Sequence, residues 1–431
     1  MDRAFVYGAG LAGCEAAWQL VRRGIPVTLV EMKPAKRSPA HHADGFAELV
    51  CSNSLKADRL SNACGLLKEE MRRFDSLIMR AADASRVPAG GALAVDRDTF
   101  SEIITRALRE HPLVTIEARE QTQMPDAPAI IATGPLTSDA MAAAIQDRFH
   151  TLSFYDAAAP IVTLESIDMD RVFRASRYDR GGDDYINCPM TEEEYYAFYN
   201  ELVAARTASV HGFEESAVFE GCMPVETLAK RGALALAYGP MKPVGLVDPA
   251  TGKRPFANVQ LRQDDAAGTL YNLVGFQTRL AFPEQKRVFG MIPGLAHAEF
   301  ARYGVMHRNT FLNAPGILSR TFEVIDTPGV YFAGQMTGVE GYVESAASGL
   351  VAGVSLAREM RGLAVHAFPT VTALGALGRH VYGPNRDYQP MSITFGIIDE
   401  YPERIRNKVE RYEAIARRSL ETLETMKEEF Q

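Results

Sequence analysis

Three glycines near the start of the chain have the spacing that brings a backbone close to phosphate groups. Gly8, Gly10 and Gly13 follow an apolar run that predicts a strand and begin a run that predicts a helix. In such a turn the first glycine permits the tight bend, the second lets the backbone approach a pyrophosphate, and the third lets the helix pack closely on the strand. Glu31, at the end of the next predicted strand, can accept hydrogen bonds from a ribose diol. Together these residues predict a site for an adenine dinucleotide.

Two later junctions between a strand and a glycine favour FAD as that dinucleotide. The run 129–134 ends in glycine, and the run 329–334 repeats that shape before a helix rich in small residues. Such junctions are typical of flavoproteins, and the second one would place backbone against the flavin end. The residues predicted to hold FAD are Gly8, Ala9, Gly10, Leu11, Ala12, Gly13, Glu31, Met32, Lys33, Thr133, Gly134, Gly334, Gln335, Gly341 and Tyr342.

Three of the five cysteines stand where a thiol could react. Cys222 comes just before Pro224, which suits the first turn of a helix, so the positive end of the helix dipole would favour its thiolate. A thiolate is the soft nucleophile that adds to an electron-poor ring carbon such as C6 of uracil. Cys188 precedes a predicted helix in the same way, and Cys51 ends an apolar run at a polar turn. Local sequence leaves all three open, together with the alternative that each is a buried core residue.

The two remaining cysteines, Cys14 and Cys64, are expected to be structural, because they lie in segments of small, packed residues. The five cysteines have neither CxxC spacing nor the spacing of a metal site, so we expect no metal. An odd and sparse set of cysteines fits reduced thiols, which predicts a cytoplasmic location.

The elements that must position these residues predict an α/β fold. The chain opens with a strand, a helix and a strand, a complete βαβ start. Because the three glycine junctions are far apart in sequence, one sheet would be assembled from distant segments, with a second domain inserted between them. We therefore predict an FAD-binding Rossmann-like domain of the glutathione-reductase type in two parts, residues 1–150 and 311–431, and an inserted α+β substrate domain, residues 151–310.

Local patterns add detail to this organisation. Thr191 and Glu194 have the spacing of a capping box that opens a helix. Residues 240–280 alternate turn residues with apolar runs, which is typical of antiparallel strands. Residues 403–430 are predicted to form one long terminal helix.

Composition excludes several classes of protein. Apolar residues make up 47% and charged residues 23%, which is ordinary for a globular protein, and no apolar run is long enough to cross a bilayer. The first predicted strand begins almost at the initiator methionine, so we expect no signal or transit peptide. The net charge of −8 argues against indiscriminate nucleic-acid binding, but a local basic face can still attract RNA.

Seven longer segments carry a resemblance to a known family. They are Gly8–Trp18, Val50–Leu55, Val87–Arg97, Asn187–Glu192, Gly239–Gly245, Tyr303–Thr310 and Gly338–Ser345. Through these segments the chain resembles, over nearly its whole length, the TrmFO family of folate- and FAD-dependent bacterial tRNA (uracil-5-)-methyltransferases. The related flavoproteins that modify wobble uridines share the glycine segments but are longer.

The resemblance implies an activity and a role for three residues. The methylene group of 5,10-methylenetetrahydrofolate would pass by way of reduced FAD to C5 of a T-loop uridine in tRNA, giving 5-methyluridine, and NADH or NADPH would serve as a diffusing reductant. Cys222 matches the family cysteine that adds to C6 of uracil, and Cys51 matches a second functional cysteine near the flavin. His307 matches a histidine that stacks on the pterin, whereas without the resemblance it would be interpreted as a hydrogen-bonded structural histidine. A base in a folded tRNA would have to leave its stack to reach such a site.

Two groups of basic residues are candidate RNA contacts. One sector of the predicted terminal helix carries Arg404, Lys408, Arg411 and Arg418, for which a solvated surface is the alternative. Lys230 and Arg231 lie closer to Cys222 in the sequence.

Other functions are compatible with these patterns. The same chemistry on a uridine of ribosomal RNA is one. A flavin oxidoreductase that acts on small molecules is another, and it would need no nucleophilic thiol. A flavoprotein that mainly binds or folds RNA is a third.

Overall fold

The computed structural model describes residues 2–38, 40–149, 151–179, 182–208, 223–385 and 388–430. The strands are β1 (Ala4–Tyr7), β2 (Val27–Glu31), β3 (Ser54–Ala57), β4 (Arg86–Val87), β5 (Ala92–Val95), β6 (Val114–Ala118), β7 (Ala129–Ile131), β8 (Thr151–Ala157), β9 (Ile161–Thr163), β10 (Phe173–Arg174), β11 (Tyr185–Met190), β12 (Ala257–Gln263), β13 (Leu270–Leu273), β14 (Phe300–Arg302), β15 (Met306–Leu312) and β16 (Val330–Phe332). The α-helices are α1 (Leu11–Arg22), α2 (Ala63–Arg73), α3 (Leu77–Ala84), α4 (Arg97–Arg109), α5 (Asp139–Arg148), α6 (Glu192–Ala204), α7 (Val225–Ala229), α8 (Ala235–Tyr238), α9 (Phe282–Phe289), α10 (Tyr342–Met360), α11 (Ala373–Tyr382) and α12 (Lys408–Met426).

A five-stranded parallel sheet forms the first layer, in the order β16-β7-β1-β2-β6. Its inner strands β7, β1 and β2 are mostly apolar and buried, as expected for a parallel sheet that is covered on both faces. β7 and β16 come from distant parts of the sequence and pair side by side, with Val330 opposite Ala129. The prediction that one sheet is assembled from distant segments is therefore confirmed.

Helices α1 and α10 pack closely against each other because small residues meet at their interface. A Cβ added to Gly349 of α10 would lie 2.1 Å from the carbonyl oxygen of Ala12, and one added to Gly353 would lie 2.7 Å from that of Ala16. Larger side chains at these positions would push the helices apart.

A six-stranded antiparallel sheet forms a second unit with its own apolar core, in the order β10-β11-β12-β13-β9-β14. Helices α6, α7 and α9 cover it, and α6 opens with the predicted capping box between Thr191 and Glu194. This arrangement confirms the fold class, a Rossmann-like domain with an inserted α+β unit. The domain boundaries themselves stay a prediction.

Two small sheets complete the architecture. β8 and β15 form an antiparallel pair in which Thr151 lies opposite Leu312, and β3, β5 and β4 form a three-stranded sheet. The pair lies where the chain passes between the two larger sheets, so the inserted unit is attached by paired strands.

The terminal helix is shorter than predicted, because α12 begins at Lys408 and not at residue 403. The side chain of Asn407 accepts hydrogen bonds from the backbone N–H groups of Val409 and Glu410, which caps the helix there. At the other end the Arg23 guanidinium donates to the carbonyl oxygen of Phe430 at 2.6 Å and holds the end of the chain against α1. Within the described part of the chain, no helix is long and apolar enough to cross a membrane.

Candidate functional site

The first functional region is a cleft with an empty volume of about 1100 Å³ at the carboxyl ends of the parallel strands. Tyr7 ends β1 in its wall, Glu31 ends β2, and Gly334 follows β16. Ligands of open α/β sheets bind at this edge. We call it the dinucleotide cleft.

The three glycines of the first turn have different surroundings. Gly8 has a φ of +99°, and a Cβ there would lie 2.4 Å from the carbonyl oxygen of Ala132. A Cβ on Gly13 would lie 1.8 Å from the carbonyl oxygen of Gly8, so α1 can approach the turn only with glycine at this position. A Cβ on Gly10, in contrast, would meet no atom of the described residues within 4 Å. Gly10 therefore faces the open cleft.

The amino terminus of α1 opens into that same space. Gly10 is its N-cap residue, and no side chain among the described residues caps the free N–H groups of the first turn. Free N–H groups and the positive end of a helix dipole form an anion site. The turn and the helix thus fit a pyrophosphate group.

The Glu31 carboxylate is already engaged in the structure. It is buried, and it accepts hydrogen bonds from the backbone N–H groups of Ala9 at 2.7 Å and of Lys33 at 3.0 Å. An ionised carboxylate offers about four lone-pair sites. Glu31 therefore braces the glycine turn and retains the capacity to accept from a ribose hydroxyl.

Most of the predicted cofactor residues meet in this cleft. Those in its wall are Gly8, Ala9, Gly10, Leu11, Ala12, Glu31, Met32, Lys33, Thr133, Gly134, Gly334, Gln335 and Tyr342. Gly13 and Gly341 lie outside the described wall, the first at the interface of turn and helix and the second in the neighbouring cavity. Sequence patterns gave no signal for His41, Arg119 and Gln121, which also line the cleft.

A second cavity of about 1050 Å³ continues from the cleft and contains Cys51. Both spaces share Val50, Pro135, Gln335 and Tyr342 as wall residues. We call the second space the thiol cavity. It places a half-buried thiol beside the dinucleotide cleft.

The backbone around Cys51 is held by side chains from distant segments. The hydroxyl oxygen of Tyr342 accepts hydrogen bonds from the N–H groups of Cys51 at 2.8 Å and of Ser52 at 3.3 Å. The Arg97 guanidinium donates to the carbonyl oxygens of Leu49 and Cys51. These contacts fix the direction in which the loop presents its thiol.

Three arginines surround this loop with positive charge. Arg97 forms an ion pair with the buried Asp264 carboxylate at 2.9 Å; burial alone would lower the pKa of Arg97, but Asp264 raises it above its ordinary value. Arg262 donates to the Ser52 hydroxyl at 2.8 Å, and Arg302 donates to the carbonyl oxygen of Val50 at 3.4 Å. Burial lowers the pKa of both, yet a guanidinium remains a cation at neutral pH. An anionic substrate is favoured in such surroundings.

Of these arginines, Arg97 belongs to the segment Val87–Arg97 that carries part of the family resemblance, so its functional importance was indicated indirectly by the sequence. Arg262, Arg302 and Asp264 were missed. They lie on or beside strands of the inserted unit, and their proximity to the Cys51 loop depends on the packing of that unit.

Cys222 lies outside the described residues. The chain on each side of it is anchored to one short segment: the Ala208 N–H donates to the carbonyl oxygen of Arg279 at 2.8 Å, and the Val225 N–H donates to that of Gln277 at 2.7 Å. Gln277 is a wall residue of the thiol cavity. The chain that carries Cys222 therefore leaves and re-enters the described structure beside that cavity.

His307 lies on β15, paired with Asp156 of β8, and its side chain is outside the described part of the structure. Asn309 on the same strand is a wall residue of the thiol cavity. The strand predicted to bind folate thus borders the same space.

The remaining cysteines are in different surroundings. Cys188 lies on β11 in the core of the six-stranded sheet, and burial raises its pKa. Burial likewise raises the pKa of Cys14, and it raises that of Cys64 to about 11. None of the three belongs to the described walls of either cavity. The structure therefore removes Cys188 from the candidate nucleophiles.

Three of the four basic residues predicted on the terminal helix, Lys408, Arg411 and Arg418, lie within one sector of α12. Arg404 precedes the Asn407 cap, so its predicted place on the terminal helix is wrong. Arg418 donates to the carbonyl oxygens of Asp399 and Glu400 and holds the preceding segment. Lys408 and Arg411 flank the Tyr412 ring at 5.6 and 5.4 Å.

Lys230 and Arg231 are exposed at the carboxyl end of α7. Among the described residues, no group of histidine, cysteine, aspartate and glutamate could hold a metal ion.

Comparison with known proteins places these features in one family. Residues 3–364 match the family model described as glucose inhibited division protein A. The chain is 59% identical over 431 residues to the methylenetetrahydrofolate–tRNA-(uracil-5-)-methyltransferase TrmFO of Desulfitobacterium hafniense strain Y51, covering 99% of each chain. It is 57% identical over 428 residues to the protein of that name from Listeria monocytogenes strain EGD-e, again covering 99% of each chain.

A crystal structure of Aquifex aeolicus GidA shows the same fold. The TM-score is 0.71 at 15% identity, and the match covers 99% of this chain and 76% of that one.

Proposed function

Because the chain belongs to the TrmFO family of methylenetetrahydrofolate–tRNA-(uracil-5-)-methyltransferases, we propose that it methylates C5 of a tRNA uridine with the one-carbon unit of 5,10-methylenetetrahydrofolate. The observation that carries the proposal is the half-buried Cys51 thiol in a cavity that continues from a dinucleotide cleft. A redox site beside a thiol fits a reductive one-carbon transfer.

The dinucleotide cleft is the site for FAD. Gly10, the amino terminus of α1 and Glu31 would hold its pyrophosphate and ribose, as the open space at Gly10 and the uncapped helix support. Bound FAD would supply two-electron redox chemistry and carriage of the one-carbon unit. NADH or NADPH would be the ultimate reductant, since conversion of a methylene group to a methyl group consumes two electrons.

Cys222 is the proposed nucleophile, on the family match and on the anchoring of its neighbours beside the thiol cavity. Its thiolate would add to C6 of the uracil, which makes C5 nucleophilic enough to take the one-carbon unit. Loss of the C5 proton and expulsion of the thiolate would then restore the ring, and the two electrons from the reductant would convert the one-carbon unit, released from its carrier, into the methyl group. C5 of free uracil is too weak a nucleophile for this step.

Cys51 is proposed as the second functional thiol. The Arg97 guanidinium and the Tyr342 hydroxyl would orient it, because both bind the backbone of its own residue. His307 is proposed to contact the folate from β15.

We propose that four basic residues contact RNA: Lys230, Arg231, Lys408 and Arg411. The first two are the nearest of these to Cys222 in the sequence. Arg418 is proposed with them, and its guanidinium also donates to backbone carbonyl oxygens of the protein.

The test follows isotopic label from methylenetetrahydrofolate into unmodified tRNA in the presence of NADH or NADPH, and locates the labelled nucleotide by mass spectrometry. The expected product is 5-methyluridine in the T-loop, lost in Cys222→Ala and Cys51→Ala proteins and retained in Cys188→Ala. Label in ribosomal RNA alone, or full activity of Cys222→Ala, would overturn the proposal.

A further inference from the structure

A column of three aromatic rings stands at the edge of the six-stranded sheet. The Tyr303 ring stacks with the Phe282 ring at 4.7 Å and 16° and with the Phe300 ring at 5.1 Å and 9°. Phe300 packs against the apolar core and forms the base of the column, whereas Phe282 is 50% exposed at its outer end. An exposed ring that prolongs a stack is a surface on which another flat ring can lie.

Residues next to the column in the sequence connect it to the wall of the thiol cavity, and the three rings themselves lie outside that described wall. A Cβ on Gly304, next to Tyr303, would lie 2.7 Å from the carbonyl oxygen of Ala158, a wall residue of that cavity. On the other side, residues 277–281 run from the cavity wall at Gln277 to the start of α9 at Phe282. Short segments therefore join the rings to the wall of the space that contains Cys51.

Charge around the column favours a polyanion. Lys286 is exposed one turn after Phe282 on the same side of α9. The Glu284 carboxylate between them is ion-paired with Arg206 at 3.2 Å and with Arg287 at 2.8 Å, which reduces its repulsion of phosphate.

We propose that Phe282, Tyr303 and Phe300 form a stacking platform for a nucleobase next to the target uridine of the RNA; this inference rests on the proposed function. Extraction of the uridine breaks its stacking with its neighbours, and a ring of the protein can replace that contact. The half-exposed position suits a base of an RNA strand, since RNA-binding proteins stack splayed bases on open aromatic surfaces. A folate, in contrast, would need a concave site that encloses most of its surface.

The test compares Phe282→Leu, which removes the ring and keeps an apolar side chain, with Phe282→Trp, which keeps a ring. Base–aromatic stacking contributes about 1–3 kcal/mol, so the leucine variant is expected to weaken binding of unmodified tRNA by about five- to 150-fold. The tryptophan variant should stay within about threefold of the parent. Tyr382→Leu, at an exposed tyrosine of α11, is the matched control and should bind as the parent does.

Four further readouts separate stacking from damage to the fold. Flavin content, thermal unfolding and the KM for methylenetetrahydrofolate should stay at the parent's values in Phe282→Leu. A 2-aminopurine base placed beside the target uridine should be quenched on binding to the parent holoenzyme and not on binding to Phe282→Leu.

Equal tRNA affinity of parent and Phe282→Leu would overturn the platform, as would a rise in the folate KM alone. Failure of the proposed function has a different signature, because the parent itself would then transfer no label to tRNA.

Discussion

The dinucleotide cleft is formed largely by backbone, whereas the thiol cavity beside it is held by side chains that arrive from distant segments. In the cleft, close approaches at Gly8 and Gly13 leave no room for a Cβ. In the cavity, Tyr342 and Arg97 bind the backbone of Cys51 from α10 and α4. The first region depends on the absence of side chains at a few positions, and the second depends on the presence of particular ones. Substitutions should therefore damage the two regions in different ways.

The largest effect is expected from Gly13→Ala. Its Cβ would lie 1.8 Å from the carbonyl oxygen of Gly8, and backbone cannot move away at little cost. We expect the free energy of unfolding of the apoprotein to fall by about 3 kcal/mol, more than a hundredfold in the folded-to-unfolded ratio. Denaturant unfolding of the apoprotein measures this.

Gly10→Ala is the matched control, since a Cβ there meets only open cleft among the described residues. Its apoprotein should unfold within about 1 kcal/mol of the parent, while flavin affinity falls. Equal destabilisation by both alanines would contradict the distinction between a packing glycine and a binding glycine.

The Cys51 thiol should react about a hundredfold faster than the buried Cys64 thiol at pH 8 in a Cys222→Ser background. Burial raises the pKa of Cys64 to about 11, so its thiolate is scarce at that pH, whereas Cys51 opens into the thiol cavity. Iodoacetamide should label Cys51 first, and labelling of Cys64 should rise as the pH approaches 11. Peptide mapping by mass spectrometry reads the rates, and comparable labelling of Cys188 or Cys14 in the native protein would refute the assignment.

Tyr342→Phe should lower kcat about tenfold, measured on protein fully loaded with flavin. The change keeps the ring but leaves the N–H groups of Cys51 and Ser52 without their acceptor, at a cost of about 1–3 kcal/mol. Steady-state kinetics with tRNA as the varied substrate checks this, and the rate of Cys51 alkylation should change in parallel.

Tyr331→Phe serves as the control, because its hydroxyl donates to Glu359 outside the described walls of both cavities. If both phenylalanine variants lose the same activity, Tyr342 does not position the thiol.

The smallest effect is expected from replacing Lys230 and Arg231 together by alanine. Loss of one or two phosphate contacts should weaken tRNA binding by about two- to fivefold and flatten its salt dependence, with flavin binding unchanged. Arg148→Ala, at a surface ion pair with Asp326, is the control. The proposed contact is wrong if parent and variant bind tRNA equally across a salt titration.

The contrast between a cleft formed by local backbone and a cavity held by distant side chains also explains which features could be predicted from the sequence. The limits of β1 and the glycine turn follow from a short segment, because a strand, a tight turn and a helix are local structures. The capping box at Thr191 was local as well. The start of α12 was misplaced because the Asn407 cap competes with a helical pattern that continues upstream of it.

The thiol cavity required information that no local pattern contains. Cys188 and Cys222 both precede a helix in the sequence, yet Cys188 lies in the core of a sheet whose strand order depends on long-range pairing. Likewise, no spacing in the sequence brings Asp264 to Arg97.

The close packing of α1 against α10 has a consequence for the order in which the protein matures during translation. α1 leaves the ribosome early, but its partner α10 ends at Met360, and the cleft residues Gly334 and Gln335 emerge shortly before it. Until then a nascent chain exposes the small-residue face of α1 and an incomplete cleft. Chains with such exposed apolar surface are prone to aggregate, and chaperones protect them. Cofactor loading is therefore expected to be a late, largely post-translational event. A cell short of flavin would accumulate full-length chains that await their cofactor.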